Sequence, residues 1–247
     1  MKCLSSCAMI VTVLLLARPL PGADWTEFRG PGGRATSEAT GLPAKWTEVE
    51  NIVWRTKLPG PGTSSPITLG DRIYVTSYSG YGLAPNEGDM NDLRRHVVCV
   101  DRTSGKILWD RQFEPRLPES KYSGGNSSRH GYSSSTPTTD GERLYVFFGK
   151  SGVYCLDLDG KEVWNTTVGS DTHGWGSSNS PVLFEDLVIV NASVESQSLV
   201  ALNKRSGEEV WRTEGIRRSW NTPVLVDVPG GRTELVVSET ENILGLD

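Results

Sequence analysis

The sequence predicts an all-β fold: a β-propeller of four-stranded antiparallel blades, an incomplete ring of about four blades in this chain. Three observations predict it. First, a segment ending in a small turn and a tryptophan recurs as Asp101-Arg-Thr-Ser-Gly-Lys-Ile-Leu-Trp109, Asp157-Leu-Asp-Gly-Lys-Glu-Val-Trp164 and Asn203-Lys-Arg-Ser-Gly-Glu-Glu-Val-Trp211. With Trp54, which closes Asn51-Ile-Val-Trp54, the indoles step by 55, 55 and 47 residues. Second, each interval carries Ser/Thr-Pro ahead of an apolar run: Ser65-Pro66, Thr136-Pro137, Ser180-Pro181 and Thr222-Pro223. Third, small residues (Cys99, Cys155, Ala201 and Gly245) stand two places before Asp101, Asp157, Asn203 and Asp247. Short strands recurring at roughly 40–50 residues are the pattern of a propeller blade.

The first 23 residues stand apart from the repeats. Lys2 gives a positive start, Cys7 to Ala17 is a compact apolar run, and small residues with proline follow to Ala23. This reads as a signal peptide over 1–23, cleaved near Gly22 or Ala23. The run is shorter than the ~20 residues a membrane helix needs. Cys3 lies before the run and Cys7 at its start, so neither is placed for lipidation. The mature chain is expected to be exported, periplasmic or secreted, with no transmembrane anchor. Residues 24–50 form a loop-rich lead-in, and 51–247 hold the repeats, with blades near 65–112, 136–166, 180–213 and 222–247. Tyr78 to His96 reads as a polar insertion between the second and third strands of the first blade. By the repeat, Asp247 opens a further turn, so the sequence reads as an incomplete copy of a longer protein, unless a partner covers the open edge.

The turn explains why its residues recur. Asp or Asn bonds backbone groups two residues on. Gly105, Gly160 and Gly207 supply a left-handed position that other residues occupy only at a cost. Trp54, Trp109, Trp164 and Trp211 then act as docking anchors, each burying ~150–250 Å² between blades. The small column is expected where sheets approach closely, which makes Cys99 and Cys155 structural. Lying one blade apart, they are too distant for a disulfide.

Composition excludes some functions. Without residues 1–23 the chain holds 23 bases and 30 acids, a net charge of −7, which argues against a nucleic-acid surface. Three Asn-x-Ser/Thr triplets (Asn126, Asn165 and Asn191) would matter only in a eukaryotic source. No hydrolase elbow, His-Glu-x-x-His or phosphate-binding glycine loop occurs. Asp157-Leu-Asp159-Gly160 coincides with the repeat turn and lacks the remaining positions of a calcium loop.

The turn-to-tryptophan repeat resembles the PQQ-like β-propeller repeat family. The lead-in Trp25-Thr-Glu-Phe-Arg-Gly-Pro-Gly-Gly33, with Trp54 and Ser64-Ser65-Pro66, looks like its secreted branch in planctomycete-type bacteria. The resemblance covers essentially all of 24–247 and implies fold more than activity, because the family includes quinone-dependent dehydrogenases and outer-membrane assembly scaffolds. Its dehydrogenase members imply PQQ beside calcium and a vicinal cysteine pair. No adjacent cysteines occur here, so no cofactor and no metal site are expected, with PQQ and calcium kept for the alternative that the missing residues lie beyond Asp247.

One constellation is left. The connections into the later blades read His130-Gly-Tyr132-Ser-Ser-Ser-Thr-Pro137, His173-Gly-Trp175-Gly-Ser-Ser-Asn-Ser-Pro181 and Arg217-Arg218-Ser-Trp220-Asn-Thr-Pro223. Equivalent propeller loops emerge on one face. His130, Tyr132, His173, Trp175, Arg217 and Trp220 are therefore expected either to line one concave mouth or to pack between blades. A mouth of aromatic faces and guanidinium donors suits sugars, quinones or peptides. The leading reading is an exported, noncatalytic module that binds a protein, peptide or glycan. The alternatives are a quinoprotein dehydrogenase and an outer-membrane protein assembly scaffold.

Overall fold

Proline withholds a backbone donor, so the strand after each Ser/Thr-Pro starts beyond it. In the computed structural model, which describes residues 23–83, 88–121 and 131–247, four antiparallel sheets follow one another along the chain. The first holds β1 (Ile67–Leu69), β2 (Arg72–Ser79), β3 (Arg94–Asp101) and β4 (Ile107–Phe113). The second holds β5 (Thr138–Thr139), β6 (Arg143–Phe147), β7 (Val153–Asp157) and β8 (Glu162–Thr166). The third holds β9 (Val182–Phe184), β10 (Leu187–Ala192), β11 (Ser198–Asn203) and β12 (Glu209–Glu214). The fourth has three strands, β13 (Val224–Val228), β14 (Arg232–Ser238) and β15 (Ile243–Leu246). Each sheet is a simple up-and-down meander, the architecture of propeller blades. The export signal expected over 1–23 falls almost wholly outside the described residues, and so does His130.

The core is a row of seams between consecutive sheets. Ile67, Tyr74, Val97 and Phe113 meet Leu144, Val146 and Tyr154. Tyr145, Phe147 and Val153 meet Val188, Val190 and Val200. Ile189, Leu199 and Ile216 meet Leu235 and Val237. Strand β6 shows why its sequence is continuously apolar. Leu144 and Val146 point into the first seam while Tyr145 and Phe147 point into the second, so both faces are buried. Among the described residues no such cluster joins the fourth sheet to the first.

Two polar columns hold the blades in register. At the outer column, Trp54 Nε1 donates to the Arg102 carbonyl (3.1 Å), Trp109 to Leu158 (3.2 Å) and Trp164 to Lys204 (3.2 Å). Each indole lies flat on the turn glycine of the following blade. A Cβ at Gly105 would sit 2.5 Å from the Trp54 ring, at Gly160 3.0 Å from Trp109, and at Gly207 2.6 Å from Trp164. Those glycines have φ of 72°, 82° and 76°, so both backbone and space demand glycine there. Trp211 occupies the matching place on β12 and packs into the third seam. The small column has an added cause: Cys99, Cys155 and Ala201 lie directly across the ladder from Trp109, Trp164 and Trp211, next to a register shift.

The inner column explains Ser/Thr-Pro. Ser65 N donates to Thr136 Oγ1 (3.0 Å), Thr136 N to Ser180 Oγ (3.0 Å) and Ser180 N to Thr222 Oγ1 (2.9 Å). Each hydroxyl thus satisfies the amide of the same residue one blade earlier, a buried donor that would otherwise be costly. The lead-in runs along these inner ends. Trp25 bridges Thr68 of β1, the Thr26 carbonyl accepts from Thr139 of β5, and 27–33 reach the cleft beside β9 and β13.

The polar insertion expected over Tyr78 to His96 is shorter than its sequence implied, because β2 extends to Ser79 and β3 begins at Arg94. Polar residues sit within strands here since each finds a partner. His96 is buried, with Nε2 2.8 Å from Ser79 Oγ and Nδ1 2.9 Å from Asp110 Oδ1. Arg95 is buried in an ion pair with Glu119 and also bonds Ser151 and the Tyr132 carbonyl. Asn191 is likewise buried in β10, bonding Ser219 and Asn221, and cannot carry a glycan in this fold.

Candidate functional site

The connection from β8 to β9 leaves the sheet through Val168 and returns at Ser180, and the connection from β12 to β13 does the same between Ile216 and Thr222. They bring three rings together. His173 lies 5.1 Å from Trp220 and 6.2 Å from Trp175 between centroids, and the two indoles are 5.3 Å apart. Trp175 stays 58% exposed. Trp220 is half-buried because its Nε1 donates to the Gly176 carbonyl (2.8 Å), fixing the two connections to each other. His173 Nδ1 accepts from the Trp175 amide (3.1 Å), which sets the imidazole edge against the indole faces.

Two clefts adjoin this rim. One of about 410 Å³ is bounded by Phe28, Thr63, Ser134, Trp175 and Trp220. The other, of about 500 Å³, lies between Phe28, Arg29, Leu183, Trp220 and Pro223. Both volumes fall within the range of small-ligand sites, and Trp220 and Phe28 belong to both walls.

The remaining sequence-selected residues go elsewhere. Tyr132 is 5% exposed; its hydroxyl donates to the Ser120 carbonyl and its ring packs on Tyr78 and Tyr81. Arg217 is exposed and turned to the fourth sheet, where its guanidinium pairs with Glu241 (3.0 Å) and its amide donates to Glu239 (2.7 Å). The mouth therefore forms from two connections and the lead-in, with His173, Trp175 and Trp220 as its rings. Phe28 of the lead-in joins them, a residue that the sequence did not single out.

A polar cavity adjoins the rim. His173, Gly176 and Ser177 line it on one side, and Arg95, Glu119, Ser133, Ser135, Lys150 and Glu195 on others. Glu195 sits in one helical turn, Ser193–Ser196, between β10 and β11, and is 2% exposed. Ser177 Oγ donates to its Oε1, whereas Oε2 has no partner among the described residues. Burial pushes this acid up from 4.5 to about 7, against the lowering effect of the Ser177 hydrogen bond.

The Ser79–His96–Asp110 chain has the connectivity of a nucleophile, base and orienting acid, and no sequence motif announced it. Acyl transfer also needs donors where an oxyanion develops. The group abutting Gly80, next to Ser79, is the Asp92 carbonyl, which is an acceptor. Its bonds satisfy a buried imidazole and tie β2, β3 and β4 together.

Residues 93–244 match the PQQ_2 family model, described as "Outer membrane protein assembly factor BamB". This chain belongs to the PQQ-like β-propeller repeat family. A BamB from Burkholderia pseudomallei (strain K96243) is 24% identical over 216 residues, covering 80% of this chain and 47% of that protein. This PQQ-like propeller thus spans about half the length of the curated relative it matches. Among solved structures, BamB from Moraxella catarrhalis is 14% identical over 73% of this chain and 49% of its own, with a TM-score of 0.47. A europium-containing methanol dehydrogenase is 18% identical over 62% of this chain and 25% of its own, with a TM-score of 0.42.

The quinone and calcium of dehydrogenase members do not fit the described residues. Cys99 and Cys155 are free, buried in different seams and opposite indoles, so they form no vicinal pair. Among the described residues no three His, Cys, Asp or Glu side chains converge to hold a metal ion. No helix among the described residues is long and apolar enough to cross a membrane.

Proposed function

We propose that this PQQ-like propeller is an exported, noncatalytic binding module whose rim takes a segment of a partner protein. The observation that carries the reading is the cluster of His173, Trp175 and Trp220, with one indole largely exposed above clefts of about 410 and 500 Å³. Exposed aromatic faces that the fold does not consume supply large contact area at low entropic cost, as binding hot spots do. Residues 1–23, patterned as a signal peptide, support export. Titration of peptides, with chito- and cello-oligosaccharides as the glycan comparison, followed by indole fluorescence tests it. Peptide binding that Trp175→Ala and Trp220→Ala weaken, with Trp175→Ala leaving the melting temperature near wild type, supports the reading. Binding unchanged in both variants removes it.

The family match favours a specific form of this reading, a scaffold in outer-membrane protein assembly. Pull-down with purified β-barrel assembly components, compared between wild type and the Trp175→Ala, Trp220→Ala double variant, tests it. Recovery equal to that of an unrelated propeller counts against it.

A further inference from the structure

Glu195 is buried, and its Oε2 meets no donor among the described residues. The cavity it lines holds about 20 Å³, near the volume a single water occupies, and its wall includes the buried hydroxyls of Ser133 and Ser135, which have no partner among the described residues. Carboxylate and hydroxyl oxygens make the site rich in acceptors. The nearby cations are already engaged. Arg95 is paired with Glu119 and bonded to Ser151 and the Tyr132 carbonyl, and Lys150 Nζ donates to the Pro118 carbonyl (3.0 Å). The other charged or titratable groups on the cavity wall are Asp171 and His173, neither of which supplies a fixed positive charge.

A compact cationic headgroup answers this arrangement. A planar guanidinium is larger than the cavity, whereas an ammonium approximates a water molecule and carries three donors. His173 belongs to both the cavity and the aromatic rim, and Trp220 is bonded to Gly176 of the cavity wall. A four-carbon stem leaving the cavity would therefore cross indole faces, which attract both methylene groups and cations.

We infer that the cavity beside the rim is a socket for the ammonium group of a lysine in the partner protein, with Glu195 as its counter-charge. The inference rests on the protein-binding reading above and names what that partner presents. Three capped pentapeptides test it, Gly-Gly-X-Gly-Gly with X as lysine, norleucine or Nε-acetyl-lysine, titrated at pH 8 against wild type, Glu195→Gln and Trp175→Ala. The expected result is at least about a tenfold preference for lysine over both neutral peptides in wild type. That preference disappears in Glu195→Gln, which keeps the side-chain shape, and falls at pH 5.5, where Glu195 is protonated. Equal binding of the three peptides to wild type, or a lysine preference surviving in Glu195→Gln, overturns the socket. If the neutral peptides still bind and Trp175→Ala weakens them, the protein-binding rim stands without it. If no peptide binds any variant, both readings fall.

Discussion

Replacing Glu195 by Gln should make this propeller more stable at alkaline pH and leave it unchanged at acid pH. Burial raises the Glu195 acid from 4.5 to about 7, so the folded chain binds its proton more tightly than the unfolded chain. Stability from this group is complete below pH ~4.5, is lost as pH rises toward 7, and changes no further above it. A shift of that size at ~1.4 kcal/mol per unit gives a loss of about 3 kcal/mol, a large share of the ~5–15 kcal/mol typical of a folded domain. Gln retains an acceptor for the Ser177 hydroxyl but never pays to bury a charge. Urea unfolding of both proteins from pH 4 to 9, followed by indole fluorescence, isolates the effect because the pH dependence common to both chains cancels in the difference. The curves should coincide near pH 4 and diverge to about 3 kcal/mol by pH 8, with the variant higher. Parallel curves, or a wild type that gains on the variant as pH rises, would show that Glu195 ionises readily and would refute the burial reasoning.

Four other outcomes are expected. Trp164→Ala should cost about 3–5 kcal/mol, since it empties the dock on Gly207, whereas Trp175→Ala should fall within ~0.5 kcal/mol of wild type; paired thermal melts check this. Gly207→Ala should destabilise by at least about 2 kcal/mol from left-handed strain plus the indole clash, while Gly215→Ala, with similar φ but open space, should show only the ~1 kcal/mol strain in urea titrations. Ser180→Ala should cost about 1–3 kcal/mol by orphaning the Thr136 amide, and hydrogen exchange at that amide should quicken. Cys99 and Cys155, their thiols pushed up to about 11 by burial, should resist a thiol reagent at pH 8 in the native protein and both react after unfolding.

The blades were legible because their causes repeat. An Asp or Asn, a left-handed glycine and an indole at fixed spacing leave little freedom in where a turn and its dock must fall. The Ser/Thr-Pro signal was legible as a strand entry, but its hydroxyl reaches an amide 71, 44 or 42 residues away, a contact that no local spacing encodes. The polar stretch Tyr78 to His96 read as an insertion because sequence alone cannot show that Ser79, His96 and Asp110 satisfy one another across three strands. The rim was only partly legible. Tyr132, Trp175 and Trp220 precede their prolines by 5, 6 and 3 residues, so they are not equivalent positions despite similar composition. That offset turns Tyr132 inward to the Ser120 carbonyl and leaves Trp175 outside.

The same contrast indicates where this propeller can afford specificity. Residues in the repeat are consumed by seams: indole on glycine, hydroxyl on amide, apolar faces on both sides of each inner strand. Changing any of them costs stability at two blades at once, because each blade's contacts are with its neighbours. Binding chemistry must then sit where the units differ, and the β8–β9 and β12–β13 connections with the turn at Ser193–Ser196 are such places. They hold two groups that the fold has no need to keep: a largely exposed indole and a carboxylate oxygen without a donor among the described residues. Replacing Trp175 should leave stability nearly unchanged, and replacing Glu195 by Gln should raise it at neutral pH and above. Under the lysine-socket proposal, the aromatic cluster and the buried acid beside one rim would act on a single ligand.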